Sequence, residues 1–215
     1  MSDLEAPAYK SRIKRDIETA EKYLERKPAR HRLEMRTIER ALDKLPALSR
    51  FLDIPCGTGR ATLLLAAHGY AAVGADLGEG VVEVARREVA SSGLECRIEI
   101  NDLEAMTYGA GSFDAVLCFR LYHHLPDDEV RARVVGELCR VARHYVLISY
   151  LHPWSFTSIK RRLRAALGGK RSRQHPTRPE ELDRFFADQG FAPRGDVPVR
   201  RFLNSLHLRI YARET

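Results

Sequence analysis

Asp53, Gly57, Gly59 and Asp76, then Asp102, then the pair His123-His124, are the residues whose types and spacing suggest chemistry. Two glycines one residue apart, directly after an apolar run, let the backbone come close to a ligand. A helix starting at once behind them points unpaired N–H groups and the positive end of its dipole at the same place, which suits a carboxylate or a phosphate. Asp53 stands inside the run Phe51-Leu52-Asp53-Ile54, an odd position for an acid unless it orders the glycine loop or faces a cationic ligand. Imidazole is the side chain best suited to exchange protons near neutrality, so His123, of the adjacent pair His123-His124, and His152 further on are candidate proton acceptors.

These residues must be positioned by a strand, a tight turn and a helix. Phe51, Leu52 and Ile54 read as a short buried strand, and the stretch ATLLLAA from Ala61 to Ala67 reads as the helix. Three nucleotide-type ligands use such a turn. A phosphate-binding loop of the P-loop kind needs Lys-Ser/Thr after the second glycine; Arg60-Ala61 stand there, which excludes it. A dinucleotide fingerprint asks for a third glycine at position 62, where Thr62 stands, although Asp76 lies where its ribose-binding acid belongs. The third candidate is S-adenosylmethionine, whose ammonium and sulfonium would answer the acid at Asp53.

The segments LDIPCGTGR, VGADLGEGVVEVAR, NDLEAM and SFDAVLCFRLYHHLPD, in that order, resemble the successive motifs of class I S-adenosylmethionine-dependent methyltransferases, the group that includes quinone-biosynthesis methyltransferases. The resemblance covers roughly residues 48 to 150. It implies a Rossmann-like α/β fold: a seven-stranded, mostly parallel sheet with helices on both faces and an N-terminal helical cover. It implies a cofactor loop made by Asp53, Pro55, Cys56, Gly57, Gly59 and Arg60, with Pro55 where the family has its first glycine. Asp76 would take the ribose hydroxyls, although an N-cap is its plainer role. Leu77 would lie against the adenine, Asp102 would accept from its amino group beside Leu103, and Phe119 would reach the crevice after the fourth strand. For Asp102 a turn-forming Asn-Asp pair is the plainer role.

Composition fits one large domain of a soluble protein, with 44% hydrophobic and 30% charged residues in 215. Residues 1–45 are expected to be the helical cover and residues 46–215 the methyltransferase domain, with a basic insertion at about 154–178. The N-terminus has no apolar core of signal-peptide type and no apolar stretch is long enough to cross a membrane. Cys56, Cys96, Cys118 and Cys139 show no Cys-x-x-Cys spacing, so reduced cysteines in a cytoplasmic protein are expected and a zinc site is not.

Two N-terminal helices are expected, meeting near Lys27-Pro28, with apolar stripes Ile13, Ile17, Ala20, Leu24 and Leu33, Ile38, Leu42, Leu45. Tyr23 on the first is a candidate for the methionine carboxylate of the cofactor, weighed against plain aromatic packing. Beyond Tyr150 the resemblance fades. Between Leu151 and Pro179 stand eight Lys or Arg and no acid, more than the whole net charge of +7. Phe156, Ile159, Leu163, Ala166 and Leu167 recur there at helical spacing. The segment from Trp154 to Arg178 is expected to wall and cover the acceptor side, taking an anionic acceptor, a membrane surface or RNA.

Methyl transfer needs an aligned acceptor, exclusion of water and, for an oxygen acceptor, a base. The candidates are His123, His152 and Tyr122. The expected function is methyl transfer to a small-molecule or lipid- or glycan-linked acceptor at oxygen. The alternatives are an RNA methyltransferase, or a non-catalytic anion- or RNA-binding module on the same fold.

Overall fold

Short apolar runs bounded by turns alternate with amphipathic helical stretches, and in the computed structural model they form one seven-stranded sheet with helices on both faces. Residues 17–18, 28–168, 174–200 and 205–214 are described. Tyr23, most of the Ile13 to Leu24 stripe, and Lys170, Arg171 and Arg173 lie outside the described residues.

Helix α1 (Pro28–Leu42) opens on Pro28, whose fixed φ suits a first helical turn. It is followed by β1 (Arg50–Asp53), α2 (Arg60–Ala67), β2 (Ala71–Asp76), α3 (Glu79–Ser92), β3 (Arg97–Ile100) and β4 (Phe113–Cys118). A 3₁₀ turn, Tyr122–His124, leads into α4 (Asp128–Val141), β5 (Ala142–Leu151), α5 (Phe156–Ala166), α6 (Pro179–Ala187), β6 (Phe191–Pro198) and β7 (Leu206–Arg213). Capping residues fix several ends: the Asp127 carboxylate accepts the Val130 N–H at 2.9 Å at the start of α4, and α3 stops on Gly93 at φ 71°.

The strand order is β3-β2-β1-β4-β5-β7-β6. The first five of these strands run parallel, and β7 runs antiparallel to both its neighbours. From β1 the chain builds outward to β2 and β3 on one side and then returns to the other side for β4 and β5. That reversal opens a crevice beyond the carboxyl ends of β1 and β4, the place where open α/β sheets bind ligands.

Adjacent residues of β1 supply both faces of the sheet, as the two-residue period requires. Phe51 joins the cluster with Ile38 and Leu42 of α1 and Leu65 of α2, while Leu52 joins the one with Val134 and Leu138 of α4 and Leu182 and Phe186 of α6. Helix α1 packs against α2 and against β6 and β7, and Arg40 donates to the Pro198 carbonyl, so this helix is clamped to the sheet as a side wall. Among the described residues no helix is long and apolar enough to cross a membrane.

Candidate functional site

A cavity of about 370 Å³ opens beyond the carboxyl ends of β1, β2, β3 and β4. That is within the usual range for a small-molecule site. Asp53, Pro55, Cys56, Gly57 and Arg60 line it from the β1–α2 turn, Asp76 and Leu77 from the end of β2, and Asp102 and Leu103 from the end of β3. Phe119, Arg120, Leu121 and His124 line it after β4, and His31, Glu34 and Met35 of α1 form a further wall.

The acids at the strand ends are held by short local bonds. Gly57 sits at φ 54° and its N–H donates to Asp76 Oδ2 at 3.0 Å; Asp76 Oδ1 accepts from the Gly78 N–H at 2.9 Å. Asp76 therefore ties the glycine loop to Gly78, the residue that caps α3; it is not itself the N-cap, and a carboxylate has about four acceptor positions, two of which these N–H groups use. Asp102 Oδ1 accepts from the Glu104 N–H at 3.0 Å, so it shapes a turn and lines the cavity at once. The Ile54–Pro55 peptide bond is cis.

Gly59 departs from its expected place at the wall. It sits at φ 82°, and a Cβ there would lie 3.2 Å from Ala85 Cβ, so it serves the left-handed turn into α2 and the close approach of α3. Thr62, where a third glycine was weighed, donates its hydroxyl to Asp53 Oδ2 at 2.7 Å. Gly74 on β2 makes room for it, since a Cβ there would meet Thr62 Oγ1 at 2.5 Å. Asp53 is 1% exposed, and burial pushes its carboxyl up to about 7 against the opposing Thr62 bond, with the nearby Asp76 adding to the rise.

The three residues expected to act as base are placed elsewhere. Tyr122 is fully buried beside the α4 core, and burial raises its phenol well above the ordinary range. His123 is 2% exposed and does not line the cavity; burial first, then its neighbours His124, Arg120, Arg161 and Arg30, push its imidazole down to about 2, so it stays neutral. His152 lies outside the cavity, stacked on His207 at 4.9 Å, whose Nδ1 stands 2.6 Å from Asp196 Oδ2. Successive residues of a 3₁₀ turn point about 120° apart, so only one of two adjacent histidines reaches the site. It is His124.

The second histidine of the cavity, His31, belongs to α1, and so does Glu34, which is 2% exposed. Glu34 accepts from Arg30 Nε at 2.9 Å and from an Arg120 guanidinium nitrogen at 3.4 Å, and its Oε2 lies 3.6 Å from His31 Nδ1. These residues were not singled out from the sequence. A signal existed: Glu34 and Thr37 fall on the same helical face as Ile38, Ala41 and Leu42, and an acid on an apolar stripe asks for buried partners.

Of residues 154–178, none of those described lines the cavity. Arg161 donates instead to Gln174 Oε1 at 2.7 Å and Ser205 Oγ at 3.1 Å. The segment leaves the carboxyl end of β5 with its helix outside the site.

Residues 51–144 match a family model described as a methyltransferase domain. The ubiquinone biosynthesis O-methyltransferase of Coxiella burnetii is 33% identical over 78 residues, covering 36% of this chain and 33% of that protein. The demethylmenaquinone methyltransferase of Thermus thermophilus is 37% identical over 108 residues, covering 49% of this chain and 47% of that protein. The chain thus spans less than half the length of these curated relatives. Among solved structures, magnesium protoporphyrin IX methyltransferase from Synechocystis PCC 6803 with bound SAH superposes with TM-score 0.69 at 21% identity, over 93% of this chain and 86% of that one. A geranyl diphosphate methyltransferase in complex with GPP and sinefungin gives TM-score 0.64 at 17% identity, over 86% and 79% of the two chains. At these identities the likeness is one of fold.

Proposed function

We propose that this chain, whose residues 51–144 belong to the methyltransferase domain family and whose sheet has the class I methyltransferase fold, binds S-adenosylmethionine and methylates a small or lipid-linked acceptor at oxygen. The observation that carries the reading is the convergence of three carboxylates, Asp53, Asp76 and Asp102, from the ends of three adjacent strands around a glycine cradle in one cavity. The residues present fit the cofactor. Asp76 has acceptor capacity for a pair of ribose hydroxyls, Leu77, Leu103 and Phe119 offer apolar surface to an adenine ring, and Asp53, once ionised, answers a cation. When bound, the sulfonium supplies an activated methyl group for in-line displacement.

The chain's own part is to hold the acceptor, exclude water and take its proton. His124 and His31 both face the cavity, and buried Glu34 stands beside His31 to orient and balance an imidazolium. An oxygen acceptor agrees with this pair of imidazoles and with the O-methyltransferase named among the relatives. Incubation with methyl-labelled cofactor and hydroxylated acceptors, phenols and demethylated quinols first, should yield labelled product. His124→Asn should lower kcat by about 100-fold, with affinity for S-adenosylhomocysteine retained, whereas His152→Asn should leave kcat within about twofold because it lies outside the cavity. Full activity in both His124→Asn and His31→Asn would remove the base from this account.

A further inference from the structure

Helix α5 is set on the protein with its polar side inward. Ser155, just before it, and Ser158 are 4% and 2% exposed, and Ser158 Oγ donates to the His152 carbonyl at 2.9 Å. On the opposite side Phe156, Ile159, Leu163 and Leu167 are 61%, 42%, 60% and 87% exposed. At about 100° per residue these four fall on one stripe, with Lys160 and Arg164 along its edge. Hydrophobic burial alone would turn such a helix over. The bonds that hold it as it is include Arg161 to Gln174 and to Ser205, both away from the stripe.

An outward apolar stripe edged by cations, in a stretch from Leu151 to Pro179 that carries eight Lys or Arg and no acid, is complementary to a bilayer surface with anionic headgroups. We propose that α5 is a membrane-surface anchor: Phe156, Ile159, Leu163 and Leu167 enter the boundary between headgroups and acyl chains, and Lys160 and Arg164 pair with lipid phosphates. RNA fits this stripe poorly, because the aromatics precede the cations and do not alternate with them. The helix follows the carboxyl end of β5, the edge of the sheet at which the cavity opens beyond β1 to β4. Docking through α5 therefore holds that edge of the sheet near the lipid, which suits a lipid-soluble acceptor. That consequence rests on the methyltransferase reading; lipid binding itself does not.

The test is sedimentation of the full chain with vesicles of phosphatidylcholine alone and of phosphatidylcholine with about one-third phosphatidylglycerol. The account expects binding to the anionic vesicles, weakened about tenfold by 0.5 M salt. It expects a loss of about tenfold or more in the triple variant Phe156→Ser, Leu163→Ser, Leu167→Ser, and a smaller loss in Lys160→Ala with Arg164→Ala. All five residues are exposed, and S-adenosylhomocysteine affinity together with the far-ultraviolet spectrum reports folding of the variants. No sedimentation with anionic vesicles, or binding unchanged in the triple variant, would overturn the proposal. So would vesicle binding that appears only when residues 1–27 are removed, an α5-dependent dimer that does not bind vesicles, or retention of a single-stranded RNA in place of vesicles.

Discussion

Around β1 to β4 the strand-end acids reach into a cavity and bond within about twenty residues of themselves; around α5 the apolar side chains reach into solvent, and while Ser158 bonds back to His152, Arg161 is held by residues further along the chain. Asp76 bonds two residues ahead and 19 behind, Asp102 two ahead and Asp53 nine ahead. Arg161 bonds 13 and 44 residues ahead. A role set by local backbone geometry can be read from residue types and spacing. The direction in which a helix turns its stripe is decided by tertiary partners, and periodicity does not report it.

If that contrast is right, the largest effect on cofactor binding comes from the most connected local acid. Asp76→Ala removes the acceptor of two backbone N–H groups and the proposed ribose partner, so affinity for S-adenosylhomocysteine should fall about 100-fold, at the strength of charged hydrogen bonds. Retained affinity would mean that the glycine loop orders without it.

The next effect is a pH dependence. Asp53, with its carboxyl raised to about 7, is protonated in acid. A cationic ligand favours the ionised form, so affinity should rise with pH through about 7 and weaken about tenfold between pH 8 and pH 6. Asp53→Asn should flatten the profile. The same raised value acts in the opposite sense on the unliganded protein. The contribution of Asp53 to stability is fully present below the unfolded value of about 3.9 and is lost as pH rises through about 7.

The fold and half of the site were legible for the reason just given. The strand, turn and helix at Phe51 to Ala67, the acid ending β2 and the Asn-Asp turn after β3 are local patterns, and each stands where its pattern required. Which histidine faces the cavity was not legible. His123 and His124 are adjacent and chemically identical, and only the orientation of a short 3₁₀ turn buried between the crevice and α4 separates the one in the core from the one in the cavity. The α1 wall was missed because Glu34 reads as an ordinary charged helix residue until its face is counted against Ile38 and Leu42.

A smaller effect separates structural from ligand-contacting glycines. Gly59→Ala forces a side chain onto φ 82° beside Ala85 and should cost about 1–2 kcal/mol, seen as a lower urea midpoint at unchanged slope. Affinity of the folded fraction should move by only a few-fold, since Gly59 does not line the cavity. The smallest effect is expected on the other side of the comparison: Lys160→Ala with Arg164→Ala should leave cofactor affinity within about twofold, because exposed charges outside the cavity are screened.

The central claim is that the crevice beyond β1 to β4 is a site for S-adenosylmethionine and not for a dinucleotide. Isothermal titration of the full chain with S-adenosylhomocysteine and, separately, with NAD tests it most directly. The account predicts one site of roughly micromolar affinity for S-adenosylhomocysteine, about 8 kcal/mol of binding, and no heat with NAD. Binding of NAD without S-adenosylhomocysteine would contradict it.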